Sequence, residues 1–267
     1  MGPRPLAELP ANAARTLRGV FCDIDDTLTC DGRLVPAAFL ALERLQQEGL
    51  RVVPITGRPG GWVDLIARQW PVDGVVGENG GLWFYLSGGK LHRRFAQDAD
   101  TRARNRDRLN AITDEILAAV PGTALASDQP YRDLDLAIDF CEDVPPLDAA
   151  AVDAIVAAFE RHGATCKVSS IHVNGWFGDF DKLTGCRRLV KELWGEDLED
   201  VRSDYAFFGD SANDAPMFSF FPLSFGVANV ADFLPRMTDP PQWVTPSEGG
   251  VGFAEGIDAL LARRGSP

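Results

Sequence analysis

Two aspartates, Asp23 and Asp25, stand two residues apart where the apolar run Gly19-Val20-Phe21-Cys22 ends. Within a strand such residues share a face; if the chain turns just after Asp23, the two carboxylates splay around one point instead. One can then attack an electrophile while the other handles protons. Like charges this close are costly unless a cation sits among them. Thr56 closes another apolar run, Val52-Val53-Pro54-Ile55, and Asp210, Asn213 and Asp214 follow a third, Tyr205-Ala206-Phe207-Phe208. Lys182 stands at a predicted helix start and can point into the same cleft. Mg²⁺ suits such a site, because it takes hard oxygen ligands from few protein carboxylates and accepts a phosphate as partner. Backbone N–H groups of the Asp23–Thr27 loop can form an anion-binding nest.

The elements that must position these residues follow a β-α-β-α-β rhythm. The spacing predicts strands at 19–22, 52–55 and 74–76, with helices over 36–48 and 63–69 between them. This reads as an α/β, doubly wound parallel sheet, in which ligands bind beyond the carboxyl ends of the strands. The middle of the chain differs. A hairpin at 82–95, a helix at 100–119, an alternating strand at 132–140, a helix at 147–161 and a strand at 167–174 suggest a separate α+β module. After Gly178 the parallel rhythm returns: a helix at 181–194, a strand at 205–208, a helix at 215–220, a strand at 223–227, a helix at 230–236 and a strand near 243–244. A last helix spans 252–263. The expected organisation is a core of residues 1–84 and 176–267, interrupted by an inserted module at 85–175. Residues 1–17 read as a frayed or loosely docked lead-in.

Four segments of this sequence resemble the motifs of the haloacid dehalogenase superfamily. Asp23-Ile24-Asp25-Asp26-Thr27 is similar to its first motif, DxDxT, and Thr56 in Pro54-Ile55-Thr56-Gly57-Arg58 to its second. Lys182 in Phe180-Asp181-Lys182 is similar to the third-motif lysine, and Gly209-Asp210-Ser211-Ala212-Asn213-Asp214 to the fourth, GDxxND. Asp26 stands where many members carry glycine. The insertion between second and third motifs resembles the type IIB cap of the Cof-like, sucrose phosphatase and mannosyl-3-phosphoglycerate phosphatase branch, and Glu78-Asn79-Gly80-Gly81 is also typical of that branch. The resemblance implies a Rossmann-like core with a C2B-type cap. It implies a Mg²⁺-dependent phosphomonoesterase, acting through an aspartyl-phosphate on a small phosphorylated metabolite such as a sugar phosphate. Asp23 would be the nucleophile, Asp25 the acid and base, and Thr56 and Lys182 the partners of the phosphoryl oxygens. Asp23, the main-chain carbonyl of Asp25, and Asp210 would hold the metal, with Asn213 and Asp214 behind them. A phosphosugar mutase and a catalytically silent binding module share the fold and are the rival expectations.

Gly57, Arg58 and Asn79 are expected near the substrate. His172 and Asn174 alternate on one face of a cap strand and are candidates for lining the pocket, though a structural hydrogen-bonded histidine is the plainer reading of His172. Arg102, Arg104, Arg106 and Arg108 crowd one helix start, where they either greet a second anionic group or form a solvated face paired with nearby acids. Trp62, Trp70, Trp83, Trp194 and Trp243 are expected in packing.

Composition narrows the partners. A formal charge of −13 repels phosphate backbones and anionic membranes, so a nucleic-acid partner is not expected. The cysteines at 22, 30, 141, 166 and 186 form no CxxC pair and read as reduced thiols. The first residues lack the apolar stretch of a signal peptide, and no run approaches membrane-spanning length, so a cytoplasmic location is expected.

Overall fold

The computed structural model describes residues 2–169 and 171–264. Its elements up to the first cap helix are β1 (Arg4–Pro5), β2 (Gly19–Asp23), β3 (Thr29–Cys30), β4 (Arg33–Leu34), α1 (Pro36–Gln47), β5 (Arg51–Ile55), α2 (Gly60–Gln69), β6 (Val75–Gly77), β7 (Leu82–Ser87) and β8 (Lys90–Phe95). The cap elements are α3 (Ala99–Ala119), β9 (Ala124–Leu125), β10 (Leu136–Asp139), α4 (Ala149–Arg161), β11 (Thr165–Val168) and β12 (His172–Trp176). The core resumes with α5 (Lys182–Trp194), α6 (Leu198–Val201), β13 (Tyr205–Gly209), α7 (Ala215–Phe220), β14 (Leu223–Gly226), β15 (Trp243–Val244) and α8 (Gly249–Leu261).

Nine strands form the large sheet, in the order β1-β15-β14-β13-β2-β5-β6-β7-β8. The sheet is parallel as far as β6, after which β7 and β8 turn antiparallel. β2 lies in the middle and is buried along its whole length. Its alternate side chains feed two cores, as the period of a strand requires. Val20 and Cys22 pack with Leu42, Ile66, Phe208 and Phe253 on one face; Phe21 packs with Val53, Leu189, Phe207 and Phe218 on the other. The Phe21 ring lies 5.2 Å from those of Tyr205 and Phe221. Burying a side chain of this size contributes about 1.5–3 kcal/mol.

Register decides where the chemistry falls. Asp23 is level with Ile55, and Cys22 with Phe208. The chain therefore leaves three adjacent strands at one height, at Asp23, Thr56 and Asp210.

The cap sheet is antiparallel, in the order β11-β12-β10-β9. Ile138 and Val173 face α3 and α4, packing with Ile112, Ile116, Ile155 and Phe159. Gly175 is needed there, since a Cβ would lie 2.1 Å from the Phe159 ring. The opposite face pairs Asp139 with His172 and Ala137 with Asn174.

Several expectations are corrected. Residues 85–95, assigned to the inserted module, complete the large sheet, because β7 pairs with β6 across Val76↔Trp83. The lead-in is docked: β1 pairs with β15, Leu6, Leu9, Ala14 and Leu17 are buried, and the Arg4 guanidinium lies 4.7 Å above the Trp243 ring. The strand expected at 167–174 is a hairpin, with Val168 opposite Val173 and the Ser169 hydroxyl accepting from the N–H of His172 at 2.9 Å. The helix expected at 230–236 is two short 3₁₀ turns, the second carrying Pro235, which has no N–H to give a continuous helix. Trp62 is 40% exposed and sits beneath the Arg58 guanidinium instead of joining the core.

Candidate active site

The loop after β2 is held by its own chain. Ile24 O accepts the N–H groups of Leu28 and Thr29. The N–H of Asp26 donates to Thr29 Oγ1 at 2.9 Å. Asp26 itself is left-handed, with φ 58°. The Thr27 hydroxyl donates to Asp210 Oδ1 at 3.0 Å, fastening the first loop to the one after β13.

Lys182 enters at the first position of α5. Asp181 caps that helix, accepting from Thr184 N–H at 2.7 Å, while the Thr184 hydroxyl returns to accept from Asp181 N–H at 2.7 Å. Such caps are worth about 0.5–2 kcal/mol. Lys182 Nζ donates to Asp23 Oδ1 at 2.6 Å and to Asp214 Oδ1 at 2.9 Å. Asp214 is fully buried and also accepts the N–H groups of Asp210 and Ser211 through Oδ2, at 3.1 and 3.4 Å. Gly209 permits this approach, since a Cβ there would come within 2.6 Å of Asp214 Oδ2.

The site is short of positive charge. Carboxylate oxygens of Asp23, Asp210 and Asp214 lie within 4.8 Å of one another, all buried. Burial pushes Asp23 up to about 8 even though Lys182 pulls it down, with Asp214 and Asp25 adding to the rise. Burial likewise pushes Asp210 up, reinforced by Asp214 and Asp23. Burial works against a charged Lys182, but Asp214 and Asp23 more than offset it and hold the ammonium. Asp214 spends its carboxylate on Lys182 and two N–H donors, a holding role. Asp23 and Asp210 are the pair whose oxygen chemistry fits a hard divalent cation.

Asp25 points the other way. Its Oδ2 accepts from the buried Thr56 hydroxyl at 3.3 Å and its Oδ1 from Arg58 Nε at 3.0 Å. The Thr56 Oγ1 also accepts Arg58 N–H at 2.9 Å. Arg58 then reaches across to the cap, where its NH1 lies 3.3 Å from Glu142 Oε1. Gly57 and Asn79 meet here as well: a Cβ on Gly57 would fall 3.3 Å from Asn79 Oδ1. Asp23, Asp25, Arg58, Asn79, Lys182 and Asp210 line one cleft of about 570 Å³, as do Gly57 and Asn213.

From the cap, His172 and Asn174 line the same cleft. His172 is 2% exposed, with Nε2 2.8 Å from Glu142 Oε2, and burial pulls its pKa down while Glu142 raises it. Asn174 Nδ2 donates to Asp135 Oδ2 at 3.0 Å. The four arginines of α3 greet no second anionic group in the cleft, and only Arg104 and Arg108 lie exposed as a solvated face requires. Arg102 donates to Gln97 O at 2.7 Å and Arg106 to Asp135 O at 3.1 Å, while Arg108 stacks 3.4 Å above the Phe177 ring. Arg104 turns back to Thr101 Oγ1. Arg102, Arg106 and Arg108 fasten the cap's connections, and none of the four lines the cleft.

Two junction residues went unread in the sequence. Arg132, buried between Asp128 and Asp135, donates to Gly57 O at 2.9 Å. Glu78 is fully buried and accepts four backbone N–H groups: Gly60 at 2.9 Å, Asp133 at 2.8 Å, Leu134 at 2.6 Å and Asp135 at 3.2 Å. The turn signal of Glu78-Asn79-Gly80-Gly81 was legible, but nothing local marks its carboxylate as a clamp on a segment more than fifty residues away.

Residues 20–100 match the family model of haloacid dehalogenase-like hydrolases. No curated protein matches the chain by sequence. Among solved structures, one from Thermoplasma acidophilum superposes with a TM-score of 0.72 at 19% identity, covering 92% of this chain and 99% of that one. The sucrose-phosphatase of Synechocystis sp. PCC6803, solved with sucrose and phosphate, gives 0.64 at 17%, covering 92% and 98%. A subclass IIB sugar phosphatase of the same superfamily gives 0.63 at 14%, covering 92% and 99%. At these identities the likeness is one of fold, and it extends over core and cap together. The resemblance carried by the four motifs is borne out, as is the α/β core with its inserted cap.

Proposed function

We propose, taking the chain as a haloacid dehalogenase-like hydrolase, that it is a Mg²⁺-dependent phosphomonoesterase of small phosphorylated metabolites, with sugar phosphates as the substrate class. The observation that carries this reading is the separation of two carboxylates two residues apart. Asp23 is held against Lys182 at 2.6 Å, while Asp25 is turned to Thr56 and Arg58. One is placed to attack and the other to handle a proton. The fold shared with a sucrose-phosphatase solved with sucrose and phosphate supports the substrate class.

In the first step an Asp23 oxygen bonds to phosphorus as the ester oxygen leaves, taking its proton from Asp25. In the second, water attacks the phosphorus of the aspartyl-phosphate and gives a proton to Asp25, releasing phosphate and restoring Asp23. Lys182 and the Thr56 hydroxyl stabilise the phosphoryl oxygens as charge develops. When bound by Asp23, Asp210 and the Asp25 carbonyl, Mg²⁺ neutralises charge on the phosphoryl group. Asn213 and Asp214 support that set, and Gly57, Arg58, Asn79, His172 and Asn174 face the leaving group. A formal charge of −13 agrees with a small-molecule partner and a cytoplasmic setting, and disfavours a nucleic-acid one. No helix among the described residues is long and apolar enough to cross a membrane.

The test is phosphate release from a panel of phosphorylated sugars and related metabolites, with Mg²⁺ and with EDTA, for the wild type and Asp23→Asn. The expected result is metal-dependent release that Asp23→Asn abolishes while its circular dichroism is unchanged. Release that survives Asp23→Asn sinks the reading, and an isomeric phosphosugar without free phosphate assigns a mutase instead.

A further inference from the structure

Asp26, between the proton-handling Asp25 and the Thr27 that ties down Asp210, sits at φ 58°. An L-residue in that region costs free energy, though aspartate tolerates it better than most. Something must hold it there. Its N–H is met by Thr29 Oγ1 at 2.9 Å, within the loop. Its carbonyl is met from outside: Asn229, more than two hundred positions on, donates from Nδ2 to Asp26 O at 3.0 Å. The same side chain accepts Gly249 N–H through Oδ1 at 3.1 Å, so its orientation is fixed at both ends.

Gly249 and Gly250 press the start of α8 against this loop. A Cβ on Gly249 would lie 2.5 Å from Thr29 O, and one on Gly250 2.4 Å from Leu28 O. Asn229 thus stands between the closely packed start of α8 and the left-handed Asp26 peptide. If Asp26 relaxed toward negative φ, the side chains on either side of it would swing.

We infer that Asn229 is a positioning residue for Asp25: it pins the left-handed Asp26 peptide to the start of α8. This rests on the phosphatase reading for its kinetic consequence, not for its structural one. Both groups of the amide are needed. An aspartate at 229 keeps the acceptor for Gly249 and loses the donor to Asp26 O.

The experiment compares Asn229→Ala and Asn229→Asp, each alone and combined with Asp26→Gly. A displacement of the order of an ångström at a reacting group lowers turnover by about a hundredfold. Both single variants are expected to lose about tenfold to a hundredfold in kcat with KM within about twofold of wild type. Glycine adopts positive φ without strain, so Asp26→Gly is expected to restore most of the lost kcat in the Asn229→Ala background. A purely structural role for Asn229 would not be relieved at position 26. Wild-type kcat in Asn229→Ala, or a loss that Asp26→Gly leaves untouched, overturns the inference. Amide hydrogen exchange reads the pin without substrate: Asn229→Ala is expected to speed exchange in residues 26–29. Unchanged exchange there overturns the inference even if the wild type releases no phosphate, the outcome that would sink the phosphatase reading alone.

Discussion

Lys182 Nζ lies 2.6 Å from Asp23 Oδ1 although 159 positions separate the two residues. The contact puts one ammonium between Asp23, the proposed nucleophile, and the buried Asp214, where it pulls the Asp23 carboxyl down against its burial; its proposed role is to meet the phosphoryl oxygens. Lys182→Met is expected to lower kcat by about 10²–10³-fold, the range for removing one preorganised electrostatic partner. Lys182→Arg is expected to restore little, because a planar fork does not fit where a compact ammonium sits between two carboxylates. Phosphate release under saturating substrate decides it; near-wild-type turnover in Lys182→Met would exclude the role.

The clustered acids would make the proposed Mg²⁺ binding a stability effect as well as a catalytic one. With Mg²⁺ at a hundredfold its Kd, the folded state gains about 2.7 kcal/mol by mass action. Thermal unfolding of the wild type is therefore expected to shift upward from EDTA to Mg²⁺, and the shift to shrink in Asp210→Asn. Identical melting curves in EDTA and Mg²⁺ would mean that the cluster holds no such ion.

Glu78 gives a pH signature. Burial, reinforced by Asp135, pushes it from the ordinary 4.5 up to about 7, against the pull of its N–H donors and Arg132. A raised folded-state pKa means that the folded protein holds the proton more tightly than the unfolded chain. The stability Glu78 contributes is then full below about pH 4.5 and is lost as pH rises to about 7. Glu78→Gln leaves two of the four N–H groups without an acceptor, at about 1–3 kcal/mol. Urea denaturation is expected to show a gap between wild type and Glu78→Gln that narrows across this range. Parallel pH profiles would show that Glu78 titrates as an ordinary glutamate.

Gly80 sets where Lys182 begins. Its φ is 98°, and a Cβ there would fall 1.8 Å from Asp181 O. Gly80→Ala is expected to cost at least about 1–2 kcal/mol from the backbone alone and to displace the start of α5. Turnover should fall with it. Gly88→Ala is the control: φ is 57°, but nothing lies within 4 Å of its Cβ position. It is expected to lose stability and keep kcat. Equal kcat in the two variants would refute the link between Gly80 and Lys182.

The reactive ends of the central strands were legible because each follows a short buried run, and register then needs only parallel pairing to bring Asp23, Thr56 and Asp210 level. Lys182 was legible from its place at a predicted helix start and its likeness to the third motif. Less was visible where the partner is remote. The Leu82–Phe95 hairpin has the same internal pattern whichever sheet it joins, and only pairing with Val75–Gly77 puts it in the core. The Ser169 turn hides inside an alternating run, because its hydroxyl replaces the glycine or proline that usually marks a turn. Arg132 reads as one more surface charge until Asp128, Asp135 and the Gly57 carbonyl enclose it. The α3 arginines read as either an anion site or a solvated face, and three of them instead find carbonyls or a ring at the cap's own connections.

Glu78 fastens the cap by main-chain N–H groups, and every residue except proline offers one. These hydrogen bonds therefore ask for no particular side chain at 133 and 134, while Asp135 also answers Arg132. Side chains on the cleft-facing side of the cap can change one by one without unhitching it from the sheet beneath. The joint is made of backbone, and the lid above it is free to vary in side chain.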